Sequence, residues 1–235
     1  MKSNYAKVYQ FHKEFQLTLN DNPNNDSLRD QSLVSLRLSL INEELKEFHT
    51  ASDQSNVIEM IDAIGDILYV VYGTCVSFGI LQEFEYSFDH TKYVDFSVHE
   101  HGHVHEHGPV HVYIYQMEDY VKKLGLCITE QNMCSVKKIL GSMLYITYDF
   151  GYKTLDINVD QIFDIIHSSN MSKLCSSEKE ALDSISWYQL TLADRYDSPR
   201  YKKSSSGNYW IIYNESNGKV LKNINYTKPV FGHIQ

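Results

Sequence analysis

The chain lacks most of the features that would place it among secreted, membrane-spanning or loop-based nucleotide-binding proteins. Its 235 residues hold four cysteines, Cys75, Cys127, Cys134 and Cys175. They form no CxxC pair and no dense framework, so reduced thiols are expected rather than disulfides. No His–Asn arrangement accompanies them, which leaves a thiol enzyme unsupported. The N-terminal stretch MKSNYAKVYQFHKEF has no signal-peptide apolar core. No uninterrupted apolar run reaches about 18 residues, so no membrane span is expected. GxxxxGK[ST], GxGxxG and GxSxG are all missing. Basic residues are in deficit as well: 21 Lys and Arg stand against 30 Asp and Glu, a formal charge of −9. That argues against a general nucleic-acid binder, which needs basic surface. It suits a cytoplasmic enzyme, or a protein that gathers cations. The apolar content suffices for one large domain or two small ones.

What is present reads as helices. Tyr5, Val8, Tyr9, Phe11, His12 and Phe15 keep helical spacing over 3–18, with His12 as a packed or edge member of the stripe. A second helix is expected at about 27–50, with Leu33, Leu36, Leu40, Ile41, Leu45 and Phe48 on its face. A third, at about 56–79, ends at Phe78-Gly79, a reasonable C-cap. A short helix over 81–92 follows, and further helices are expected at about 113–125, 131–151 and 158–171. The end of the 176–206 stretch is flexible by composition. NYWIIYNESNGKVLKNINYTKP reads as a hairpin turning at Ser216-Asn217-Gly218.

The chain also resembles itself. GDILYVVYGTCVSFG (65–79) aligns with GSMLYITYDFGYKTL (141–155), an offset of 76 residues. This suggests an internal duplication. The acids do not recur, since Glu59, Asp62 and Asp66 become Ser135, Lys138 and Ser142. The expected architecture is therefore an all-α helical bundle in which the second copy lacks the acidic site. Its divisions are a catalytic repeat over 1–92, a His-rich hairpin insertion over 93–112, a degenerate repeat over 113–175, and a linker and tail over 176–235.

Those acids are the chemical signal. Glu43, Glu44 and Glu47 lie in EELKE, with Glu44 and Glu47 on one helical face. Glu59 and Asp62 are also i, i+3, and Asp66 sits one turn on, along an otherwise apolar helix. The two helices are joined by a short turn and should pack antiparallel, so their acidic faces would meet near that turn. Converging carboxylates repel unless something positive lies between them. Mg²⁺ suits such a place, taking carboxylates together with substrate phosphates, and Mn²⁺ is the second candidate. A solvated acidic face is the plainer alternative for ExxE or ExxD alone. The apolar flanks Ile58, Met60, Ile61, Ile64, Ile67 and Leu68 argue against it here.

EELKE followed by EMIDAIGDILYVVYG resembles the all-α nucleoside triphosphate pyrophosphohydrolases, the MazG-like and phosphoribosyl-ATP pyrophosphohydrolase-like group. The later stretches HSSNMSKL (167–174) and GKVLKNINYTKP (218–229) resemble the closing segment of the same subgroup. The gap of eleven residues between Glu47 and Glu59 lies at the short end of that group's range. The resemblance implies cleavage of NTPs or dNTPs between the α- and β-phosphates. It implies Glu44, Glu47, Glu59 and Asp62 as metal ligands, and Glu43 or Glu44 as the residue that orients or deprotonates water. Asn170, Lys173, Lys219 and Lys222 become candidates for phosphate or sugar contacts. Tyr226 would stack on a base or simply pack the tail, and Asp66 would be a further ligand or a partner for a lysine. Members of the group usually assemble sites from more than one chain, so a homo-oligomer or a single-chain pseudo-dimer is expected.

VHEHGHVHEHGPVH places His99, His101, His103, His105, His107 and His111 in alternation. On a strand they would share a face suited to Zn²⁺, Ni²⁺ or Cu²⁺. A structural zinc site wants four fixed ligands, usually with cysteine help, and none is near, so a solvated hairpin is the preferred reading. The functional expectation is a Mg²⁺-dependent nucleotide pyrophosphohydrolase with a nucleotide-pool role, acting on a nucleoside triphosphate and engaging neither nucleic acid nor membrane. The alternatives are a catalytically weak pseudo-enzyme or metal-binding interaction module, and a phosphoribosyl-ATP pyrophosphohydrolase.

Overall fold

The computed structural model describes residues 3–80 and 108–232. The short helix expected at 81–92 and the histidines from His99 to His107 lie outside these residues. Helix α1 (Asn4–Glu14) opens at Ser3, whose hydroxyl accepts from the Ala6 amide. The single helix expected at 27–50 is two, α2 (Asn25–Arg29) and α3 (Gln31–Asp53). They break at Asp30, whose extended backbone lets its carboxylate cap the amides of Ser32 and Leu33. Helix α4 (Val57–Phe78) starts at the Asn56 cap and stops at Gly79, where φ is 70°. A side chain there would strike the Asn22 carbonyl, so the stop requires glycine.

Helix α5 (Pro109–Thr129) begins earlier than expected, with Pro109 in its first turn after Gly108. Proline at the first helical position costs nothing because its missing N–H would be unpaired there anyway. Residues 109–112 are thus helical rather than part of a hairpin, and His111 sits exposed in the first turn of α5. Helices α6 (Met133–Lys153) and α7 (Val159–Met171) complete the bundle.

The fold is all-α, with one small strand pair among the described residues. Helix α4 is its axle, packed by α3, α7, α6 and α1. By length and composition α4 could cross a membrane, but 83% of its most apolar window is buried inside the protein. Ile64, Ile67, Leu68, Val71, Cys75, Val76 and Phe78 have no exposed surface. Each buried aliphatic side chain of this kind contributes about 1.5–3 kcal/mol relative to exposure. Gly65 lets α7 approach, since a Cβ there would run into Ile166 and Ile162.

The α3–α4 and α5–α6 pairs are two copies of one hairpin. The amide of Asn56 donates to the Ala51 carbonyl at 2.9 Å, and that of Asn132 to the Cys127 carbonyl at 2.9 Å. Ser55 bonds Ser52 at 2.9 Å, and Gln131 bonds Ile128 at 2.9 Å. Ser55 and Gln131 share a left-handed backbone, with φ of 52° and 55°. Asn56 caps Glu59, and Asn132 caps Ser135. Every one of these pairs is offset by 76 residues, the interval read from sequence. The copies face each other, α4 against α6 and α3 against α5.

Residues 176–232, expected as linker and tail, carry helix α8 (Glu178–Thr191) and strands β1 (Pro199–Lys203) and β2 (Trp210–Asn214). The strands pair antiparallel, Pro199 with Asn214 through Lys203 with Trp210. This corrects two expectations. Residues 199–203 are a strand, and they, rather than residues after Gly218, are the main partner of β2. The turn at 216–218 forms, but its outgoing leg makes only a bridge at Val220. It leaves because Asn223 is drawn to α7, donating to the carbonyls of Ser172 and Leu174 at 2.9 Å each. A small second core of Cys175, Ala181, Tyr188, Ile212 and Leu221 holds this unit together.

Candidate active site

The acids of α3 and α4 meet as their spacing requires. Glu43, Glu47 and Glu59 are exposed at the rim, and Glu44, Asp62 and Asp66 are partly buried between the helices. Burial raises the pKa of Asp62 to about 6, and the charges of Glu59 and Glu47 push the same way. Burial likewise raises Asp66, reinforced by Asp62 and opposed by Lys173. Glu44 is raised by burial, then by Asp66, Glu47 and Glu43. The site thus resists carrying its full negative charge.

Positive groups come from the other side. Lys173, just past the end of α7, is lowered by burial but held up by Asp66 and Glu44. Its ammonium donates to Asn170 at 2.5 Å. From the C-terminal segment, Lys219 reaches Glu43 at 3.8 Å. The Lys222 ammonium lies 4.4 Å from the centre of the Tyr226 ring and acts electrostatically on both Asp62 and Asp66. Tyr226 is fixed by the Ser169 hydroxyl, which donates to its oxygen at 2.9 Å. The acids Glu43, Glu44, Glu47, Glu59, Asp62 and Asp66 therefore gather with Asn170, Lys173, Lys219, Lys222 and Tyr226 where α3, α4, the end of α7 and residues 219–226 converge.

Three supporting residues were not singled out. Asn223, Ser169 and Ser172 tie the C-terminal segment to α7, with the Thr227 amide donating to Ser172 at 3.0 Å. Their only sequence signal was position inside HSSNMSKL and KNINYTKP. Arg37 was also missed. It is buried, bonded to Thr74 at 3.2 Å and the Val70 carbonyl at 2.8 Å, and stands beside His12. The signal was an arginine on the Leu33–Ile41 stripe. His12 itself is buried, its Nδ1 paired with the Thr18 carbonyl, which makes it a packed histidine.

The donor set fits a hard divalent cation. Among the described residues no three His, Cys, Asp or Glu side chains form a ready cage. Mg²⁺ does not need one, because it keeps several waters and uses one or two carboxylates with substrate oxygens. Asp62 Oδ1 is buried and makes no hydrogen bond. A buried carboxylate oxygen left so is costly unless a cation completes it.

The family model of phosphoribosyl-ATP pyrophosphohydrolase matches residues 8–91. An uncharacterised protein, L479, of Acanthamoeba polyphaga mimivirus is 30% identical over 248 residues, covering 99% of this chain and 95% of that protein. No solved structure matches at a significant level. The chain belongs to the MazG-like, phosphoribosyl-ATP pyrophosphohydrolase-like superfamily. Membership supports an activity of the pyrophosphohydrolase type, hydrolysis of an acid anhydride.

Proposed function

We propose that the protein hydrolyses nucleoside triphosphates, or their deoxy forms, to the monophosphate and pyrophosphate, with Mg²⁺ as its cation and Mn²⁺ as a substitute. One observation carries this reading: a carboxylate set on α3 and α4 faces a lysine set drawn from a different part of the chain. Carboxylates alone repel a polyphosphate, and lysines alone would not activate water. Together they suit a cation sandwiched beneath phosphate oxygens.

Glu44, Glu47, Glu59 and Asp62 would hold the cation, which when bound neutralises phosphate charge and makes a water easier to deprotonate. Asp66 sits behind them as a partner to Lys173. Glu44, whose proton affinity is raised first by burial and then by Asp66, Glu47 and Glu43, takes the proton from the attacking water at a side-chain oxygen. Glu43, held outward by Lys219, orients that water. Lys173, Lys219 and Lys222 bind the phosphates, Asn170 aligns Lys173 or meets the sugar, and Tyr226 offers a ring face. The biological role consistent with this chemistry is control of a cytoplasmic nucleotide pool.

The matching phosphoribosyl-ATP pyrophosphohydrolase family favours a second substrate, phosphoribosyl-ATP, which carries the same anhydride. The test is pyrophosphate release from NTPs, dNTPs and phosphoribosyl-ATP, with Mg²⁺ or Mn²⁺, by wild type and Glu59→Gln. Cation-dependent release lost in the variant is expected. Silence across the panel from folded protein, with Mg²⁺ failing to raise its melting temperature, would overturn the reading in favour of a pseudo-enzyme.

A further inference from the structure

The second hairpin preserves the place of the site and reverses its charge. At the 76-residue offset, Glu43, Glu44, Glu47, Glu59, Asp62 and Asp66 correspond to Asp119, Tyr120, Lys123, Ser135, Lys138 and Ser142. Six carboxylates become one carboxylate, two lysines and three hydroxyls. The matched turn bonds and caps fix this correspondence independently of residue type.

The floor has been rebuilt as a neutral pair. Where Glu44 and Asp66 repel each other, the neutral Tyr120 and Ser142 side chains stand, both more than nine-tenths buried, with the Ser142 hydroxyl donating to the Lys138 carbonyl at 3.0 Å. Above it, Glu47 and Asp62 interact across the α3–α4 seam. Their counterparts in the α5–α6 hairpin, at the 76-residue offset, are Lys123 and Lys138. Lys123 pairs with Asp119 at 2.7 Å. Lys138 is exposed and has no ion pair with any described residue.

We infer that the α5–α6 face around Lys123, Lys138, Ser135 and Tyr120 is a second, metal-independent site for a polyphosphate oxyanion. Lysines and hydroxyls at the positions where the first hairpin places carboxylates supply donors directly, so no cation has to intervene. The ligand is a pyrophosphoryl group, carried either by free pyrophosphate or by a nucleotide. Its one acid, Asp119, is taken up by the ion pair with Lys123, so the site binds and does not hydrolyse. This inference rests on the duplication and stands whether or not the first site turns over a triphosphate.

Calorimetric titration with inorganic pyrophosphate in EDTA tests it, since removing divalent cations leaves the acidic site to repel the probe. Binding to wild type is expected. Lys138→Glu and Lys123→Glu should each weaken it about tenfold or more, while Lys222→Ala, at the first site, leaves it unchanged. Both altered side chains are exposed, and circular dichroism checks that the variants fold. A parallel titration with a nucleoside diphosphate separates the sources. Tighter binding than pyrophosphate assigns a nucleotide, equal binding assigns the free anion, and either supports the site. No binding in EDTA overturns the inference. So does binding that survives both charge reversals or disappears in Lys222→Ala.

Discussion

Tyr72 and Tyr148 stand hydroxyl to hydroxyl, 3.4 Å apart, at the centre of the protein. They are the same position in two copies of one hairpin, so the local two-fold axis runs between them. In a symmetric dimer a residue that meets its own copy marks the axis, and here the two copies share one chain. Asymmetry has already entered around this point. The Asn4 amide donates to Tyr148 at 2.6 Å, whereas Tyr72 meets the rings of Tyr5 and Phe163.

Arg37 and Gly73 constrain each other. A Cβ on Gly73 would collide with the Arg37 guanidinium and crowd His12. Gly73→Ala should destabilise the protein by about 1–3 kcal/mol through overpacking, seen as a lower melting temperature. In an Arg37→Met background the same change should cost clearly less. A double-mutant cycle reads the coupling. Simple additivity would show that the guanidinium is not what excludes the methyl group.

His12 makes stability depend on acid. Burial, with the Arg37 charge beside it, lowers its pKa from 6.5 to about 3. The unfolded chain therefore binds a proton between those values that the folded protein refuses. Its contribution is complete above pH 6.5 and is lost as pH falls toward 3, by about 1.4 kcal/mol per unit. Denaturant unfolding of wild type and His12→Gln across this window should show a flatter slope in the variant. Parallel slopes would count against a neutral, buried imidazole.

Glu44 gives the opposite sign. Its folded pKa is raised, so the metal-free protein loses stability as pH climbs through the carboxylate range toward the folded value. Glu44→Gln should abolish pyrophosphate release and yet stabilise the protein in EDTA near pH 8 by at least about 1 kcal/mol. Added Mg²⁺ should raise the melting temperature of wild type more than that of the variant. An inactive variant that is also less stable in EDTA would show that Glu44 is not under electrostatic strain.

Asn223 is a strap. Its two bonds hold residues 219–227 to α7, and with them Lys222 and Tyr226. Asn223→Ala should cost about 1–3 kcal/mol for the half-buried carbonyls of Ser172 and Leu174 left unpaired. It should raise KM more than it lowers kcat, because the chemistry on α3 and α4 is untouched. Steady-state kinetics on the best substrate decides it, and a pure kcat loss would refute the positioning role.

Helices and acids were legible from sequence because both depend on local spacing. Asn56 and Asn132 announce their caps, and Glu44, Glu47, Glu59 and Asp62 fall on faces that a short turn must bring together. Arg37 was harder. Periodicity puts it on an inward stripe but cannot reveal that Gly73, thirty-six residues on, clears space for it. Strand β1 was hidden because PRYKK looks like a solvated run, and only pairing with the apolar Ile211 and Ile212 makes it a strand. The lysines depended on tertiary closure. Nothing local in GKVLKN says that it returns to α3, and Asn223 does that through the Ser172 and Leu174 carbonyls just past the end of α7.

Fusion of the two hairpins also changes what mutation can do. In a homodimer each substitution is made twice, so an acid lost from one site is lost from both. Here Tyr120 could replace a glutamate while Glu44 stayed. One gene carries two independently editable versions of the same surface, and selection can keep chemistry in one while it tries new occupants in the other.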